Sequence, residues 1–492
     1  MKRKLLQYFT DYKIKSINFD SRKIKEGDAF FAIKSDYADG NDYIDQAFAS
    51  GARVVFTDNP AKANTYLKDN KNISKVSKRP IIYFKDNRKA IGIAAGIIYP
   101  DLPKHLIGVT GTNGKSSVVS FIHQILSLIG KSSAALGTIG IEATKQLSPE
   151  LITAASDSLT TKDPINFRKI LHLLTKEDIQ YTIFEASSHG LKQRRLGDVK
   201  LNTAAFVSFS QDHLEYHKTM QSYLEAKLIL FAEYMLNDAE VVLNSDMMFI
   251  DFVTKFLIER NIKYSTIGSN GDLKIISCRQ SLSDQEIIFK FKGKKYQFNT
   301  DIIGSFQASN ILIAAKLVCN LGFSFTDILS TLSKLKPVIG RLQRITKPDH
   351  PFQIFVDFAH TPDALEKTLI ELNKVKEESG KLVVIFGCGG DRDKTKRIIM
   401  GEVADKLADI IIVTDDNPRT ENPASIRADI LKGTRHATEI ASREEAIIKS
   451  IAKLQKNDIL VITGKGHENY MIIGDQKINF SDAAIASKAI NS

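Results

Sequence analysis

Short apolar runs that end abruptly in polar residues recur along this chain and alternate with stretches of helical periodicity. In the C-terminal part such runs occupy Leu382–Phe386, residues 410–414 and residues 458–463, and they are rich in β-branched residues. Runs of this length and composition predict strands buried on both faces of a parallel sheet, with helices on either side. Ligands bind beyond the carboxyl ends of such strands, so the polar residues that follow each run are the first candidates for a site.

A strand, a Gly-rich loop and a helix are predicted in succession near residue 110. The apolar run at residues 106–110 precedes the loop, and the apolar residues at positions 118, 122, 125, 126 and 129 have the spacing of one buried helical face. Residues 88–98 predict a further helix, and residues 181–184 and 204–209 predict two more strands. The pattern is that of an α/β protein.

Composition narrows the class of protein. Hydrophobic residues make up 43% and charged residues 25%, which is ordinary for a soluble globular chain. The three cysteines show no paired spacing, so we expect neither disulfides nor a zinc site. No apolar stretch has the length of a secretory signal or a membrane span, and we therefore expect a cytoplasmic protein without membrane insertion.

The formal charge of +11 is spread over the whole chain. A basic surface suits nucleic acid or anionic small molecules. Because the lysines form no tail and do not alternate with aromatic residues, the sequence favours small anionic substrates over nucleic acid. We expect a monomer.

Residues 108–117, GVTGTNGKSS, form the predicted phosphate loop. Its glycines allow backbone N–H groups to turn toward phosphates, and the following helix N-terminus adds favourable partial charge. Lys115 can reach the β- and γ-phosphates, and the Ser116 hydroxyl can ligate Mg²⁺. The motif by itself predicts binding of a nucleoside triphosphate and names no reaction; a chance Gly-rich turn is the alternative.

Two further strand ends carry metal-binding chemistry. Glu185 follows the run at residues 181–184, and His213 follows the run at residues 204–209. A carboxylate and an imidazole at neighbouring strand ends can share a cation beside a triphosphate. Ordinary hydrogen-bonded roles for both remain the alternative.

Three loops after C-terminal strands are dense in ionic groups of both signs. We name them pocket loop 1 (residues 389–393, GGDRD), pocket loop 2 (residues 415–419, DDNPR) and pocket loop 3 (residues 464–468, GKGHE). An arginine fork binds a carboxylate and an acidic side chain binds an ammonium, so together the loops predict a pocket for a zwitterion. The alternative is that they are turns rich in helix caps.

The string GTNGKSS resembles the phosphate loop of the Mur ligases and the related folylpolyglutamate synthases. The stretches EASSHGL (residues 185–191), DHLEYH (212–217), YLEAK (223–227) and DFAHTPDAL (357–365) resemble further motifs of this family, in the same order. The resemblance implies three domains: a small α/β N-terminal domain (residues 1–87), a central P-loop parallel-sheet ATPase domain (residues 88–335) and a C-terminal doubly wound, Rossmann-like domain (residues 336–492). Pro337 and Gly340 lie at the last boundary.

The resemblance also implies roles for individual residues, with ATP and Mg²⁺ as cofactors. The implied catalytic residues are Lys115, Lys227 and His213. The implied metal ligands are Ser116, Glu185, His213 and Lys227, the last as N6-carboxylysine. The implied ATP-binding residues are Gly111, Thr112, Asn113, Gly114, Lys115, Ser116, Ser117, Asn310, Arg341 and Asp357.

Two substrate sites follow from the same resemblance. Residues implied to bind a UDP-muramoyl peptide are Ser21, Thr160, Thr161, Ser187, Gln193 and Arg195. Residues implied to bind meso-diaminopimelate are Arg392, Asp416, Asn417, Pro418, Arg419, Gly464 and Glu468.

The implied activity is ATP-dependent addition of meso-2,6-diaminopimelate to UDP-N-acetylmuramoyl-L-alanyl-D-glutamate through an acyl phosphate, in peptidoglycan precursor synthesis. One alternative is a lysine-adding ligase of the same family. Lysine, however, would leave Arg419 without a carboxylate partner, which costs roughly 1–3 kcal/mol of binding free energy. A second is a folylpolyglutamate-type ligase, which should lack the DNPR motif. A third is a nucleotide-regulated binding protein with an inactive site.

Overall fold

The computed structural model describes residues 1–35, 38–63, 79–157 and 159–491. The chain forms two compact units, each built from separate stretches of sequence. The first unit comprises Met1–Gly108, Lys131–Asn202 and Ile229–Asn237, and the second comprises Val109–Gly130, Thr203–Leu228 and Asp238–Ser492.

The first unit contains a four-stranded parallel sheet near the N-terminus. Its strands, in spatial order, are Ser16–Asn18, Asp28–Ala32, Val54–Thr57 and Ile81–Tyr83. Helices Lys2–Asp11 and Asn87–Ile98 contribute to one apolar core with the inward residues of these strands. The second helix begins where the Asp86 carboxylate accepts a hydrogen bond from the Lys89 backbone N–H, a side-chain cap that satisfies a first-turn donor.

A second strand group in the first unit positions candidate residues. Strand Ser133–Gly137 pairs antiparallel with Gly140–Ala143 and parallel with Tyr181–Glu185. Helices Pro149–Ala155, Pro164–Lys176 and Ser188–Lys192 accompany these strands. The last of them starts directly after Glu185, Ala186 and the capping Ser187.

Five neighbouring strands belong to the second unit, apart from the first three residues of the first of them: Met235–Asn244, Lys263–Gly268, Leu273–Gln280, Gln285–Phe291 and Lys294–Thr300. The first three are parallel, and the last two add antiparallel hairpins. The sequence interpretation predicted a parallel sheet and missed these hairpins. Lys292 and Gly293 both have positive φ, 48° and 80°, which matches the twist of a two-residue hairpin turn.

The C-terminal part of the second unit is a six-stranded sheet. Its strands, in spatial order, are Gln343–Arg344, Gln353–Asp357, Ile459–Thr463, Leu382–Phe386, Ile410–Val413 and Thr438–Glu439. Only the short first strand is antiparallel to its neighbour. Helices lie on its two faces over two separate apolar cores: Pro362–Val375, Thr395–Leu407, Pro423–Leu431, Arg443–Ile451 and Asp482–Ile490. The predicted doubly wound arrangement is confirmed.

The remaining elements are short or connect those above. The strands are His105–Thr110 and Leu201–Phe206 and the hairpin Tyr470–Ile473 with Gln476–Asn479. The helices are Ser21–Lys23, Gly40–Tyr43, Ile44–Ala49, Lys115–Leu128, Leu214–His217, Met220–Tyr234, Ile250–Ile258, Ser305–Asn320 and Phe325–Leu332. Among the described residues, no helix combines the length and apolarity needed to cross a bilayer. The boundaries of the three predicted domains stay a prediction.

Candidate functional site

The phosphate loop leads from strand His105–Thr110 into helix Lys115–Leu128, as predicted. Gly114 precedes the helix with φ +84°, and a Cβ there would lie 2.8 Å from Asn310 Oδ1, so this position requires glycine. The Lys115 ammonium donates to the carbonyl oxygens of Gly111 (3.0 Å) and Thr112 (2.9 Å). Lys115 thus folds back over its own loop, where it can turn to an incoming phosphate.

Lys227 lies beside the same loop. Its side chain is 1% exposed, and its ammonium donates to Gly111 O at 2.7 Å and lies 4.5 Å from the Tyr223 ring centroid. Burial, reinforced by the nearby charge of Lys115, lowers the pKa of Lys227 well below its usual value. No carboxylate of the described residues forms an ion pair with it, so burial shifts the equilibrium of Lys227 toward the neutral amine.

The residues around the loop fix its backbone. Ser208 Oγ accepts a hydrogen bond from the Asn113 N–H (2.8 Å) and donates to the Asn113 carbonyl (2.9 Å). The Thr112 hydroxyl lies 3.2 Å from the hydroxyl of Tyr223, and the Asn113 side chain donates to Asp363 at 3.1 Å. Neither Ser208 nor Asp363 was predicted as a site residue. The signal that marks them is position: Ser208 comes two residues after strand Leu201–Phe206, and Asp363 lies in the first turn of helix Pro362–Val375.

Arg341 reaches the phosphate loop from the start of the C-terminal region. Its guanidinium donates to Ser116 Oγ at 2.8 Å and lies 4.3 Å from the Phe358 ring centroid. Asp357 ends a buried strand, and burial raises its pKa, although Arg341 and hydrogen bonds such as that from the Leu342 N–H oppose the shift. Together with Asn310, which contacts Gln307, these residues lie in the second unit with the phosphate loop.

His213 lies in the second unit at the start of the short helix Leu214–His217, in the left-handed conformation with φ +54°. Its imidazole is 38% exposed and lies 3.4 Å from the Asp212 carboxylate. Burial would raise the pKa of Asp212, but His213, His360 and Lys396 lower it to about 2. Asp212 is therefore a carboxylate anion among cations, and its neighbour His213 presents a ring to solvent.

Glu185 lies in the first unit, is 2% exposed, and ends its strand. Its carboxylate accepts hydrogen bonds from the Thr138 backbone N–H (2.8 Å) and the Thr138 hydroxyl (3.1 Å). The same hydroxyl lies 3.2 Å from the Thr160 hydroxyl. Thr138, which the sequence interpretation missed, therefore joins a predicted metal ligand to a predicted substrate residue.

The first unit also brings together most of the residues predicted to bind the muramoyl peptide. The Thr161 hydroxyl donates to Glu185 O (2.9 Å) and lies 3.0 Å from the Ser187 hydroxyl. Arg195 donates to Thr161 O (2.8 Å) and, through Nη2, to the Gln193 side chain (2.8 Å).

Ser21 belongs to the N-terminal sheet region of the first unit. It is buried in a 3₁₀ turn capped by Asp20, and its hydroxyl donates to Gln46 Oε1 at 2.9 Å. The geometry places Ser21 beside Gln46, a residue that sequence reasoning did not single out.

The three pocket loops meet at one edge of the C-terminal sheet. Gly390 of pocket loop 1 donates its N–H to Asn417 O of pocket loop 2 at 2.9 Å, and Arg419 Nη1 donates back to Gly390 O at 2.7 Å. Asn417 Nδ2 donates to Glu468 of pocket loop 3 at 3.0 Å. The loops that the strand-end rule selected are therefore parts of one cluster.

The arginines of this cluster form no ion pair with the acidic side chains that the structure describes. Arg419 is half-buried and donates to the carbonyl oxygens of Gly390 and Asn417, and Arg392 is exposed and donates to Asp391 O at 3.5 Å. Neither forms an ion pair with a carboxylate of the described residues. Burial and the charge of Arg392 lower the pKa of Arg419, so a carboxylate ligand would stabilise this guanidinium.

Backbone conformation shapes the pocket at two positions. Arg419 has φ +52°, a left-handed conformation that a non-glycine residue adopts at a cost, and the hairpin Tyr470–Ile473 holds it through the Ile472 carbonyl, which accepts from Arg419 N at 3.1 Å. Gly464 has φ +112°, and a Cβ there would lie 2.7 Å from Asp416 Oδ2. Glycine therefore lets the Asp416 carboxylate lie directly over pocket loop 3.

The protein side chains suit a magnesium ion only if phosphate oxygens complete its coordination shell. Among the described residues, no group of three or more His, Cys, Asp or Glu side chains is arranged to hold a metal ion. Ser116, by contrast, places a hydroxyl oxygen at the first turn of the phosphate-loop helix. Mg²⁺ usually takes one or two protein oxygens and completes its shell with substrate phosphates and water, which agrees with such a sparse set.

Family models match most of the chain. The model of the Mur ligase family, catalytic domain matches residues 13–98, that of the Mur ligase middle domain residues 109–318, and that of the Mur ligase, glutamate ligase domain residues 340–466. These matches follow the order of the motifs along the sequence.

Individual relatives are similar over their full length. The UDP-N-acetylmuramoyl-L-alanyl-D-glutamate–2,6-diaminopimelate ligase of Rickettsia conorii is 50% identical over 492 residues, which is 100% of this chain and 98% of that protein. The protein of the same name from Zymomonas mobilis is 37% identical over 98% of this chain and 95% of its own.

The fold agrees with solved structures. A structure of a UDP-N-acetylmuramoyl-L-alanyl-D-glutamate–2,6-diaminopimelate ligase has a TM-score of 0.66 and 30% identity over 97% of this chain and 95% of that chain. The Mycobacterium tuberculosis folylpolyglutamate synthase complexed with ADP and AMPPCP shares the fold, with a TM-score of 0.63 and 14% identity over 82% of this chain and 94% of that chain. The predicted α/β fold of three domains is thereby confirmed, and the chain belongs to the Mur ligase family.

Proposed function

We propose that this protein uses ATP to join meso-2,6-diaminopimelate to the D-glutamate carboxylate of UDP-N-acetylmuramoyl-L-alanyl-D-glutamate. The observation that carries the proposal is the pocket in which Arg419 lies near Arg392 and near the carboxylates of Asp416 and Glu468, while neither arginine forms an ion pair among the described residues. A pocket with two arginines and two acidic side chains suits a ligand with two carboxylates and two ammonium groups. The names of the similar proteins point to the same substrate.

The phosphate loop supplies the nucleotide half of the reaction. Lys115 turns from the carbonyl oxygens of Gly111 and Thr112 to the β- and γ-phosphates, and the backbone N–H groups of the loop bind phosphate oxygens. Residues Asn310, Arg341 and Asp357 bind the remainder of ATP. Arg341 adds a second cation beside Ser116.

Ser116, Glu185 and His213 would hold Mg²⁺, which would supply positive charge to the triphosphate. Lys227 would extend this set as an N6-carboxylysine. A buried neutral amine can add CO₂ and release a proton, and the lowered pKa of Lys227 supports that chemistry.

The reaction has two steps. A carboxylate oxygen of D-glutamate attacks the γ-phosphorus of ATP, ADP leaves, and an acyl phosphate forms. The amine of diaminopimelate then attacks the acyl carbon, the phosphate leaves, and the nitrogen loses a proton. Lys115 stabilises charge on the transferred phosphoryl group, and Thr160, Thr161, Ser187, Gln193 and Arg195, with Ser21 at the uridine end, position the acceptor.

Lysine addition and folate tailing are the competing functions within this fold. Lysine lacks the second carboxylate, so Arg419 would stay without an acidic partner. A folylpolyglutamate-type ligase adds glutamate, which has two carboxylates but only one ammonium group and so would not use both Asp416 and Glu468. We further propose a cytoplasmic monomer that binds small molecules and no nucleic acid.

Phosphate release tests the proposal. The protein receives ATP, Mg²⁺ and the muramoyl dipeptide, together with diaminopimelate, lysine or neither, and the amide product is identified by its mass. We expect product and phosphate with diaminopimelate alone. Product with lysine alone would overturn the specificity, and no product with either amino acid would favour the inactive binding protein.

A further inference from the structure

Lys465 of pocket loop 3 is a buried lysine, and none of the roles described above is assigned to it. Its side chain is 0% exposed, yet it belongs to a strand-end loop rather than to an apolar core. A lysine buried to this degree requires hydrogen-bonding partners, because an unpaired ammonium away from water is very costly.

Two partners hold the Lys465 ammonium. It donates to Asn417 Oδ1 at 3.1 Å and to Glu468 Oε2 at 3.0 Å. Asn417 Nδ2 donates to the same Glu468 oxygen at 3.0 Å, which closes a ring of three mutual contacts. Asn417 Oδ1 also accepts the Ile472 N–H at 2.9 Å, and this bond anchors the ring to the hairpin Tyr470–Ile473.

The ring leaves one acidic oxygen available. Both side-chain hydrogen bonds to Glu468 use Oε2, and Oε1 accepts none from the described residues. The Glu468 side chain is 19% exposed, so Oε1 can meet a ligand. Lys465 thereby fixes the rotamer of Glu468 with one oxygen committed to the protein and the other available to an ammonium group.

We propose that Lys465 is a positioning residue that orients Glu468 for the ammonium group of the incoming amino acid. The inference rests on the proposed function, because it assumes that the pocket loops bind that substrate. Lys465 acts through Glu468 and has no contact with ATP in this role. Its loss should therefore weaken the amino acid and leave the nucleotide steps intact.

The test is a double-mutant cycle on Lys465→Met and Glu468→Gln, with phosphate release measured against amino acid and against ATP. We expect Lys465→Met to raise KM for the amino acid about 10- to 100-fold, with KM for ATP and kcat within about threefold of wild type. In the Glu468→Gln background the same substitution should change KM by less than about threefold. Lys477→Met is the matched control. The ammonium groups of Lys465 and Lys477 lie 5.7 and 3.7 Å from the Tyr470 ring centroid, but the exposed Lys477 makes none of the three contacts among Lys465, Asn417 and Glu468.

Several results would overturn the inference: a Lys465→Met KM equal to that of Lys477→Met, an equal effect in both backgrounds, or parallel losses for ATP and the amino acid. If Lys465→Met does not fold, Asn417→Asp breaks the same ring, because it replaces the amide that donates to Glu468 with a carboxylate. An unchanged amino-acid KM in that variant would count against the inference too. Inactivity of the wild type with diaminopimelate would instead be a failure of the proposed function, since it precedes any effect of Lys465.

Discussion

The phosphate loop and the amino-acid pocket both place cations against backbone carbonyl oxygens, but they are built differently. The phosphate loop is one continuous segment, residues 108–117, and Lys115 supplies its positive charge. The pocket is assembled from three loops after three strands, and it holds both signs of charge. A site for a polyanion can thus be encoded locally, whereas a site for a zwitterion needs opposite charges held apart by a tertiary scaffold.

The largest expected effect lies in the phosphate loop. Lys115→Met removes the cation that reaches the transferred phosphoryl group, and we expect kcat for phosphate release to fall about 100- to 1000-fold. The exposed Lys334→Met in the same unit serves as the control and should keep wild-type activity. Activity of Lys115→Met within about threefold of wild type would remove the loop from the proposed chemistry.

A smaller and more selective effect is expected in the pocket. Arg419→Ala removes the carboxylate-binding guanidinium, so KM for diaminopimelate should rise about 10- to 100-fold while KM for ATP is unchanged. Arg435→Ala, which removes an 82% exposed arginine paired with Asp405, is the matched control. Equal losses for both substrates would mean that the phosphate loop and the pocket do not act independently.

Acid should destabilise the phosphate-loop region through His123, which is buried in helix Lys115–Leu128. Burial lowers its pKa from 6.5 to about 4, so the unfolded chain binds a proton at a higher pH than the folded chain. Above pH 6.5 the His123 ring is mostly neutral in the folded and the unfolded chain, so it does not lower the free energy of unfolding. As the pH falls from 6.5 toward 4, only the unfolded chain takes up the proton, and the free energy of unfolding decreases. Between pH 7 and 5 this amounts to about 2 kcal/mol.

Urea unfolding at the two pH values measures that loss. His123→Gln should reduce the difference in the free energy of unfolding between pH 7 and 5, and His436→Gln, at an exposed position, should not. Equal pH dependence in all three proteins would show that His123 is not buried as a neutral ring.

The smallest effect concerns the support of the phosphate loop. Ser208→Ala removes the side chain that bonds both the N–H and the carbonyl of Asn113, at about 0.5–1.5 kcal/mol per hydrogen bond. We expect KM for ATP to rise about three- to tenfold without a change in KM for the amino acid. Ser330→Ala, at an exposed helical position, is the control, and a KM shift of the same size in both variants would argue against a specific role for Ser208.

Helices and strands with a strong hydrophobic pattern were predicted well, whereas strands whose formation depends on pairing with neighbouring strands were not. Strand Leu382–Phe386 was predicted at its observed bounds because a run of five apolar, mostly β-branched residues fits little except a buried strand. The hairpins at Gln285–Phe291 and Lys294–Thr300 were missed, since their charged and half-buried positions weaken the alternation. Strand Leu201–Phe206 was predicted three residues too late because the apolar run continues beyond the paired residues.

The site residues likewise divide into those that a local sequence pattern predicted and those that only distant contacts reveal. The phosphate loop and the pocket loops were found because their chemistry follows a predicted strand directly in the sequence. Thr138, Asp363 and Lys465 were not assigned, because their partners Glu185, Asn113 and Asn417 are 47, 250 and 48 residues away along the chain. The roles of the predicted site residues stay a prediction until the variants above are measured.

The sequence by itself determined the α/β class, the order of the elements and the loops that bear the chemistry, because strand and helix periodicities and strand-end motifs are local. Only the tertiary structure decided that Lys227 is a buried amine above the Gly111 carbonyl and that Lys465, Asn417 and Glu468 close into one ring. Burial and charge pairing depend on residues distant in the chain. The sequence therefore does not distinguish a solvated lysine from a buried one, because the pKa and the partners of a lysine depend on its surroundings in the folded chain.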